Sequence, residues 1–270
     1  MAELLVVVPS RGRPGNITRL VEAMEKTCRA GTDLIVGLDS DDPQLPAYTA
    51  TWPYMPAGWI PPDGTDGDIH SEGMWPYKVQ IRSGMRSVVP WVNYLALQKY
   101  QHYGAVGHFG DDNLPETIGW DVDMLMALEE TPFAFANDLY PRAPGSLCCH
   151  IFMRSEVVGK LGYFGPPGIR HMYVDVAWMA WGTKCGITYR HDVLIEHLHF
   201  TKGQAGFDES YQASQGLIPI DLNNWHQYCD SGQLNADIEK IGGGAPFTQE
   251  ELSTFNRNLN IPRYWGAPVA

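Results

Sequence analysis

The chain has 270 residues, with 19 Lys and Arg against 31 Asp and Glu, so its formal net charge is −12. Hydrophobic residues make up 44% and charged residues 19%, which excludes a disordered chain and favours one large domain or one domain with an appendage. The acidic excess argues against a broad surface for nucleic-acid phosphates, although a local basic groove stays open.

The first half of the chain alternates between strand and helix patterns. Residues 4–8 are an apolar run typical of a buried parallel strand. Apolar residues then recur at helical spacing from Ile17 to Met24, after the start signals Pro14 and Asn16. By the same criteria, further strands are predicted at 34–38, 78–82 and 105–109, and further helices at 87–103 and from Pro115 onward.

The remaining segments are less regular. Residues 43–76 contain seven prolines, which predicts a long irregular loop. Later strands are predicted at 133–137, 148–153, 187–189 and 193–200, with a helix at 173–181. Thr248 and Glu251 have the spacing of a capping box, which predicts the start of a final helix. The pattern predicts an α/β sheet domain over residues 1–205 and a C-terminal extension over 206–270.

The cysteines and the apolar segments bear on where the protein works. No stretch approaches the roughly 18 uninterrupted apolar residues of a membrane span, and we expect neither a span nor a secretory signal. The five cysteines are odd in number and form no CxxC pair, so we expect reduced thiols in a cytoplasmic protein.

Three predicted strands end in polar clusters, at residues 9–14, 39–42 and 111–113. Ligands of an open α/β sheet bind at the carboxyl ends of its strands, where these clusters converge. A single cluster is ordinary turn chemistry, whereas three on neighbouring strands indicate a ligand site. A basic loop beside two acidic loops favours a phosphate ligand held with Mg²⁺ or Mn²⁺.

The strand at 105–109 delivers Asp111, Asp112 and Asn113. If strand geometry persists, Asp111 and Asn113 point to one side and Asp112 to the other. One carboxylate can then bind a metal ion while the other holds a sugar hydroxyl. The alternative is a turn and helix cap before Pro115.

Two histidines and a lysine follow at the end of the predicted sheet. His197 and His199 share one face of a strand, and an imidazole that completes an aspartate-based site favours Mn²⁺. The alternative is a hydrogen-bonded pair at the sheet edge. Lys202 can neutralise a leaving diphosphate or can be a solvated surface residue.

Asp175 lies in the first turn of the apolar helix predicted at 173–181, at the rim of the site. It is a candidate general base or sugar-hydroxyl ligand. An ordinary first-turn aspartate that complements the helix dipole is the alternative. Arg86 can contact a nucleotide or lie on the surface.

Together these motifs resemble the GT-A family of nucleotide-sugar-dependent glycosyltransferases, particularly its family-2-like members, over roughly residues 1–205. The compact glycosyltransferases of bacteriophages are also similar, which implies action in the host cytoplasm. The resemblance implies a mixed, mainly parallel Rossmann-like sheet flanked by helices, with an extension that shapes the acceptor side. The implied nucleotide-binding residues are Pro9, Ser10, Arg11, Arg13, Asp39, Asp41, Arg86, Asp111 and Lys202.

The resemblance also implies the chemistry. The implied metal ligands come from Asp111, Asp112, Asn113, His197 and His199, and Asp175 matches the acidic residue that binds the sugar or acceptor or acts as base. The expected reaction moves a sugar from a nucleoside-diphosphate donor, UDP-linked by preference, to an acceptor hydroxyl on a modified DNA base, a protein or a glycan. Inversion and retention both stay open.

Two other functions are compatible with the sequence. One is a non-catalytic sugar- or nucleotide-binding or structural module. The other is a sugar nucleotidyltransferase, for which Gly12 and Gly15 are a poor match to the expected glycine-rich loop.

Overall fold

A computed structural model describes residues 3–51, 67–70, 77–139, 147–200, 203–204 and 206–261. Its strands are β1 (Leu4–Ser10), β2 (Thr32–Asp39), β3 (Gly67–His70), β4 (Tyr77–Arg82), β5 (Ala105–His108), β6 (Asn113–Pro115), β7 (Phe133–Asn137), β8 (Ile151–Arg154) and β9 (Ile187–His197). Its helices are α1 (Pro14–Thr27), α2 (Leu45–Thr51), α3 (Val88–Lys99), α4 (Trp120–Glu130), α5 (Ser155–Leu161), α6 (Val174–Cys185), α7 (Glu209–Asp230), α8 (Gln233–Ile241) and α9 (Gln249–Asn258).

The described strands form one mixed sheet in the order β3-β4-β2-β1-β5-β8-β7-β9-β6. Strands β4, β2, β1 and β5 run parallel, as do β7 and β9. Strands β3, β6 and β8 run antiparallel to their neighbours. The carboxyl ends of the parallel strands therefore meet at one edge, as predicted.

The apolar run of β1 is buried on both faces. Leu5 and Val7 pack in one core with α3, α5, α6 and the C-terminal helices. Leu4, Val6 and Val8 pack in a second core with α1 and α4. Helices on both faces explain why this strand is continuously apolar rather than alternating.

Several element boundaries differ from the predictions. The two strands predicted at 187–189 and 193–200 are one strand, β9, whose pairing with β7 shifts register after Ala136. The helix expected from Pro115 begins at Trp120, because residues 113–115 pair with β9 as β6. The loop predicted at 43–76 includes α2 and β3, and helices α5, α7 and α8 were not predicted.

The C-terminal helices share the core of the sheet. Trp225, Tyr228, Leu234 and Ile238 are buried in the same cluster as α6. The predicted capping box of α9 is confirmed, since Thr248 and Glu251 each bond the other's backbone N–H. The division at residue 205 stays a prediction. None of the helices within the described ranges combines the length and the apolar character that crossing a bilayer requires.

Gly107, at the centre of the sheet, lies too close to a neighbouring side chain to accept a methyl group without a shift of that side chain. A Cβ there would lie 2.5 Å from Cδ1 of Phe152, its partner on β8. Gly107→Ala is expected to lower the free energy of unfolding by about 1–3 kcal/mol through overpacking. Gly15→Ala is the control, because its Cβ would meet no atom within 4 Å. Urea denaturation compares the two variants, and equal stabilities would contradict the prediction.

Candidate functional site

Loops that follow β1, β2 and β5 come together at the carboxyl edge of the sheet. Ser10 Oγ donates to Asp111 Oδ2 at 2.6 Å, which joins the β1 and β5 loops. Arg11 Nη1 lies 3.2 Å from Asp39 Oδ2, which joins the β1 and β2 loops. The three polar clusters of the sequence therefore form one constellation.

A buried acidic pair with one guanidinium lies at its centre. Asp111 is 6% exposed and Asp112 is 7% exposed. Arg13 Nη1 lies 3.1 Å from Asp111 Oδ1 and 3.7 Å from Asp112 Oδ2. Burial and the neighbouring Asp112 raise the pKa of Asp111, whereas Arg13 and Ser10 oppose that rise. Arg13 thus supplies the positive charge that two adjacent buried carboxylates require.

His197 faces Asp112 across the β6–β9 ladder. That ladder pairs Asn113 with His197, and Leu198 N donates to Asp112 O at 2.9 Å. His197 Nε2 lies 3.3 Å from Asp112 Oδ1. Burial alone would lower the pKa of His197, but hydrogen bonds to Asp112 and Cys149 raise it to about 10. Burial would raise the pKa of Asp112, but His197 holds it below its ordinary value.

The β2 loop holds a second group of charges at the rim. Buried Asp39 accepts hydrogen bonds from Trp91 Nε1 at 3.1 Å and from the backbone N of Arg86 at 2.9 Å. Asp41 accepts from both Arg11 and Arg86. The hydrogen bond with Arg11 lowers the pKa of Asp41, which keeps this cluster charged. The side chain of Arg86 is 71% exposed, so it lies at the mouth of the site.

The start of α7 covers the acidic pair, which the sequence did not indicate. Asp208 caps α7 and accepts from Arg13 Nε at 2.7 Å. Tyr211 donates its hydroxyl to Asp112 Oδ2 at 2.7 Å, and its ring centroid lies 4.3 Å from the guanidinium carbon of Arg13. Sequence patterns do not reveal a contact between residues about 100 or more positions apart.

The remaining predicted residues have different environments. Pro9 lies in β1 opposite Gly37. The ring of His199 lies 5.0 Å from the ring of His197, beyond the end of β9. Asp175 Oδ1 accepts a hydrogen bond from Val176 N at 2.9 Å in the first turn of α6. This bond is local to the helix, and the catalytic role of Asp175 stays a prediction. Lys202 lies outside the described residues.

Asp221, which the sequence did not single out, holds the segment before α6. It is fully buried in α7 and accepts three backbone hydrogen bonds, from Arg170, His171 and Met172, at 2.9, 2.8 and 2.8 Å. Burial lowers the pKa of His171, whose charge interacts with Arg13 and Asp112. Helix α7 thus holds residues 170–172, and His171 of this segment interacts electrostatically with Arg13 and Asp112.

The donor set of the site suits a divalent cation. Two ligands of one octahedral ion with bonds of about 2.1 Å lie about 3 Å apart, close to the 3.3 Å between Asp112 Oδ1 and His197 Nε2. A carboxylate oxygen and a neutral imidazole nitrogen both ligate divalent ions, and metal binding here releases the proton of His197. The side chain of Asn113 is used only in part. Its Oδ1 accepts a hydrogen bond from Gly110 N, whereas its buried Nδ2 meets no acceptor within the described part of the chain.

Below the site, buried His108 makes the fold sensitive to acid. Burial lowers the pKa of His108 to about 4, although the Val7 carbonyl partly opposes this. Its stability contribution is complete above pH ~6.5 and is lost as pH falls toward 4, because only the unfolded state takes up the proton there. His108→Gln is expected to remove roughly 2–3 kcal/mol of this dependence. Urea denaturation from pH 7.5 to 4.5 measures it, and parallel profiles for both proteins would contradict it.

Comparison with solved structures shows the fold. The crystal structure of S. aureus TarS 1–349 has a TM-score of 0.53 and 12% identity over 72% of this chain and 59% of that chain. The same fragment in complex with UDP gives 0.53 and 11% over the same shares. Mannosyltransferase PcManGT from Pyrobaculum calidifontis, in complex with GDP-Man and Mn²⁺, gives 0.54 and 10% over 89% of this chain and 73% of that chain.

These likenesses confirm the GT-A fold expected from the sequence. The chain spans 59% of the length of the TarS fragment. No family model and no curated protein matches the sequence.

Proposed function

We propose that the chain is a glycosyltransferase that binds a nucleoside-diphosphate sugar, UDP-linked by preference, together with Mn²⁺ or Mg²⁺. The observation that carries the proposal is the position of Asp112, His197 and Arg13. A carboxylate and an imidazole 3.3 Å apart, with a guanidinium beside them, lie where the strands of a GT-A fold end. One structure of similar fold is a complex with UDP and another is a complex with GDP-Man and Mn²⁺, which supports this class of ligand.

Each charged group has a proposed role in this reaction. Asp112 and His197 hold the metal ion, with Asp111, Asn113 and His199 as the further predicted ligands. The ion, when bound, stabilises negative charge on the departing diphosphate. Arg13 and Lys202 add positive charge near the diphosphate. The base and ribose are contacted by residues 9–11 at the end of β1, together with Asp39, Asp41 and Arg86.

The acceptor side is proposed to lie under residues 206–270. The acceptor is a hydroxyl of a modified DNA base, a protein or a glycan. Asp175 binds the sugar or acceptor, or takes the acceptor proton if the attack is in line with inversion. The resemblance to bacteriophage enzymes extends the proposal to a phage protein that acts in the host cytoplasm.

Thermal unfolding with UDP, GDP, CDP and ADP, each with and without Mn²⁺, tests donor binding. A nucleotide at about 100 times its dissociation constant adds roughly 2.7 kcal/mol. For a chain of this size that corresponds to a rise in Tm of about 5–10 °C. We expect this rise with one nucleotide and only when the metal is present. The absence of a shift with every nucleotide–metal pair would favour the non-catalytic module.

A further inference from the structure

Three neighbouring strands bring an aspartate, a cysteine and a histidine to one edge of the sheet. Strands β7 and β9 are parallel, so Asp138 just after β7 and His197 at the end of β9 lie at the same edge. Strand β8 is antiparallel to β7, so Cys149, two residues before β8 begins, also lies there. The topology therefore brings together three residue types that bind metals.

The side chains of this cluster are close together, and Asp138 is buried while Cys149 and His197 are half-buried. A carboxylate oxygen of Asp138, Sγ of Cys149 and a ring nitrogen of His197 all lie within 4.8 Å of one another. Asp138 is 3% exposed, and the His197 backbone N donates to Asp138 O at 3.3 Å. Bonds of about 2.0–2.3 Å to one tetrahedral ion place its ligand atoms about 3.3–3.8 Å apart. Closure of the cluster around an ion thus needs side-chain shifts of about an ångström.

We propose that Asp138, Cys149 and His197 form a Zn²⁺-type metal site with a thiolate ligand. A thiolate beside an imidazole favours Zn²⁺ or Co²⁺ over Mg²⁺, which prefers oxygen ligands alone. Three protein ligands leave a fourth position for water or another ligand. The site needs no transferase activity, so it stands apart from the proposed function.

The shared imidazole gives the site a consequence for the Asp112 site. His197 also lies 3.3 Å from Asp112. An ion held by Cys149 and Asp138 draws on the same ring that the proposed donor-site ion would use. Zn²⁺ is therefore expected to compete with Mn²⁺ for this edge of the sheet.

Metal titration of the chelator-treated 270-residue chain tests the site. We expect one Zn²⁺ per chain by competition with a chromophoric chelator, and Co²⁺ to give a thiolate-to-metal charge-transfer band. Cys149→Ser is expected to abolish that band and to weaken Zn²⁺ binding by at least about 10-fold. Asp138→Asn is expected to weaken Zn²⁺ binding while keeping the band, because the thiol remains.

Cys185→Ser is the matched control, since Cys185 Sγ contacts Ile238 O at 3.8 Å, away from this cluster. Circular dichroism establishes that each variant is folded before titration. The proposal is overturned if wild type binds no Zn²⁺, or if Cys149→Ser and Cys185→Ser bind Co²⁺ with the same spectrum as wild type. A positive titration without any nucleotide binding would contradict only the transferase proposal.

Discussion

Asp112→Asn is expected to weaken metal-dependent nucleotide binding by at least about 100-fold. The carboxylate of Asp112 faces His197 at 3.3 Å and Arg13 at 3.7 Å and accepts the hydroxyl of Tyr211 at 2.7 Å. The neutral amide keeps the size of the side chain but loses the charge that attracts the ion. Loss of a residue that merely orients a metal ligand already costs 10–100-fold in affinity, so loss of a ligand itself is expected to cost at least the upper value.

Calorimetric titration of the nucleotide that gives the thermal shift, in the presence of Mn²⁺, measures this loss. Asp123→Asn is the matched control, because Asp123 also pairs with an arginine, Arg190, at 2.9 Å, but on helix α4. It is expected to bind like wild type. An Asp112→Asn protein that is folded and keeps its affinity would remove Asp112 from the metal site and would contradict the proposed arrangement.

The sequence predicts the centre of the sheet because burial on both faces leaves a strong pattern. Strand β1 is apolar at every position from Leu4 to Val8, since each side faces a helical layer. Helix α1 shows its buried stripe as Ile17, Leu20 and Met24 at helical spacing. The spacing of apolar residues in such a segment reflects which of its faces are buried. Its secondary structure and its position in the core can therefore be predicted from the segment alone.

Elements defined by distant partners could not be predicted in this way. Strand β6 has three residues and exists because it pairs with β9, 80 or more positions later. The register shift after Ala136 interrupts the pattern of β9 and made one strand resemble two. Helix α7 buries few residues, and one of them is the charged Asp221. Its buried face therefore could not be recognised from an apolar pattern in the sequence.

The residues of the candidate site show the same distinction between local patterns and distant contacts. Polar clusters directly after apolar strands led to Ser10, Asp39, Asp111 and Asp112, because the ends of parallel strands must meet. Asp208 and Tyr211 reach the same site from the start of α7, and no local pattern links them to Arg13. Asp138 and Cys149 lie at ends of β7 and β8, and neither belongs to an acidic pair or a CxxC motif in the sequence. Their significance arises only from the strand order.

Asp221→Ala is expected to lower the free energy of unfolding by about 3–5 kcal/mol, because three backbone N–H groups lose the carboxylate that accepts their hydrogen bonds. The carboxylate is fully buried and accepts the backbone N–H groups of residues 170–172. Alanine leaves these part-buried donors without their acceptor, and each donor that finds no substitute costs up to about 1–3 kcal/mol. Water that enters the space left by the carboxylate accepts some of these hydrogen bonds, so the loss of unfolding free energy stays below the sum of the three separate costs.

Urea denaturation compares Asp221→Ala with two further variants. Asp221→Asn keeps one carbonyl oxygen as acceptor, so an intermediate loss is expected. Asp230→Ala removes an exposed aspartate from the same helix and is expected to change stability little, as surface substitutions usually do. If Asp221→Ala stayed within about 1 kcal/mol of wild type, α7 would not hold the segment before α6. The same helix carries Asp208 and Tyr211 to the acidic pair, so this carboxylate is expected to fix the C-terminal cover of the site as well as the fold.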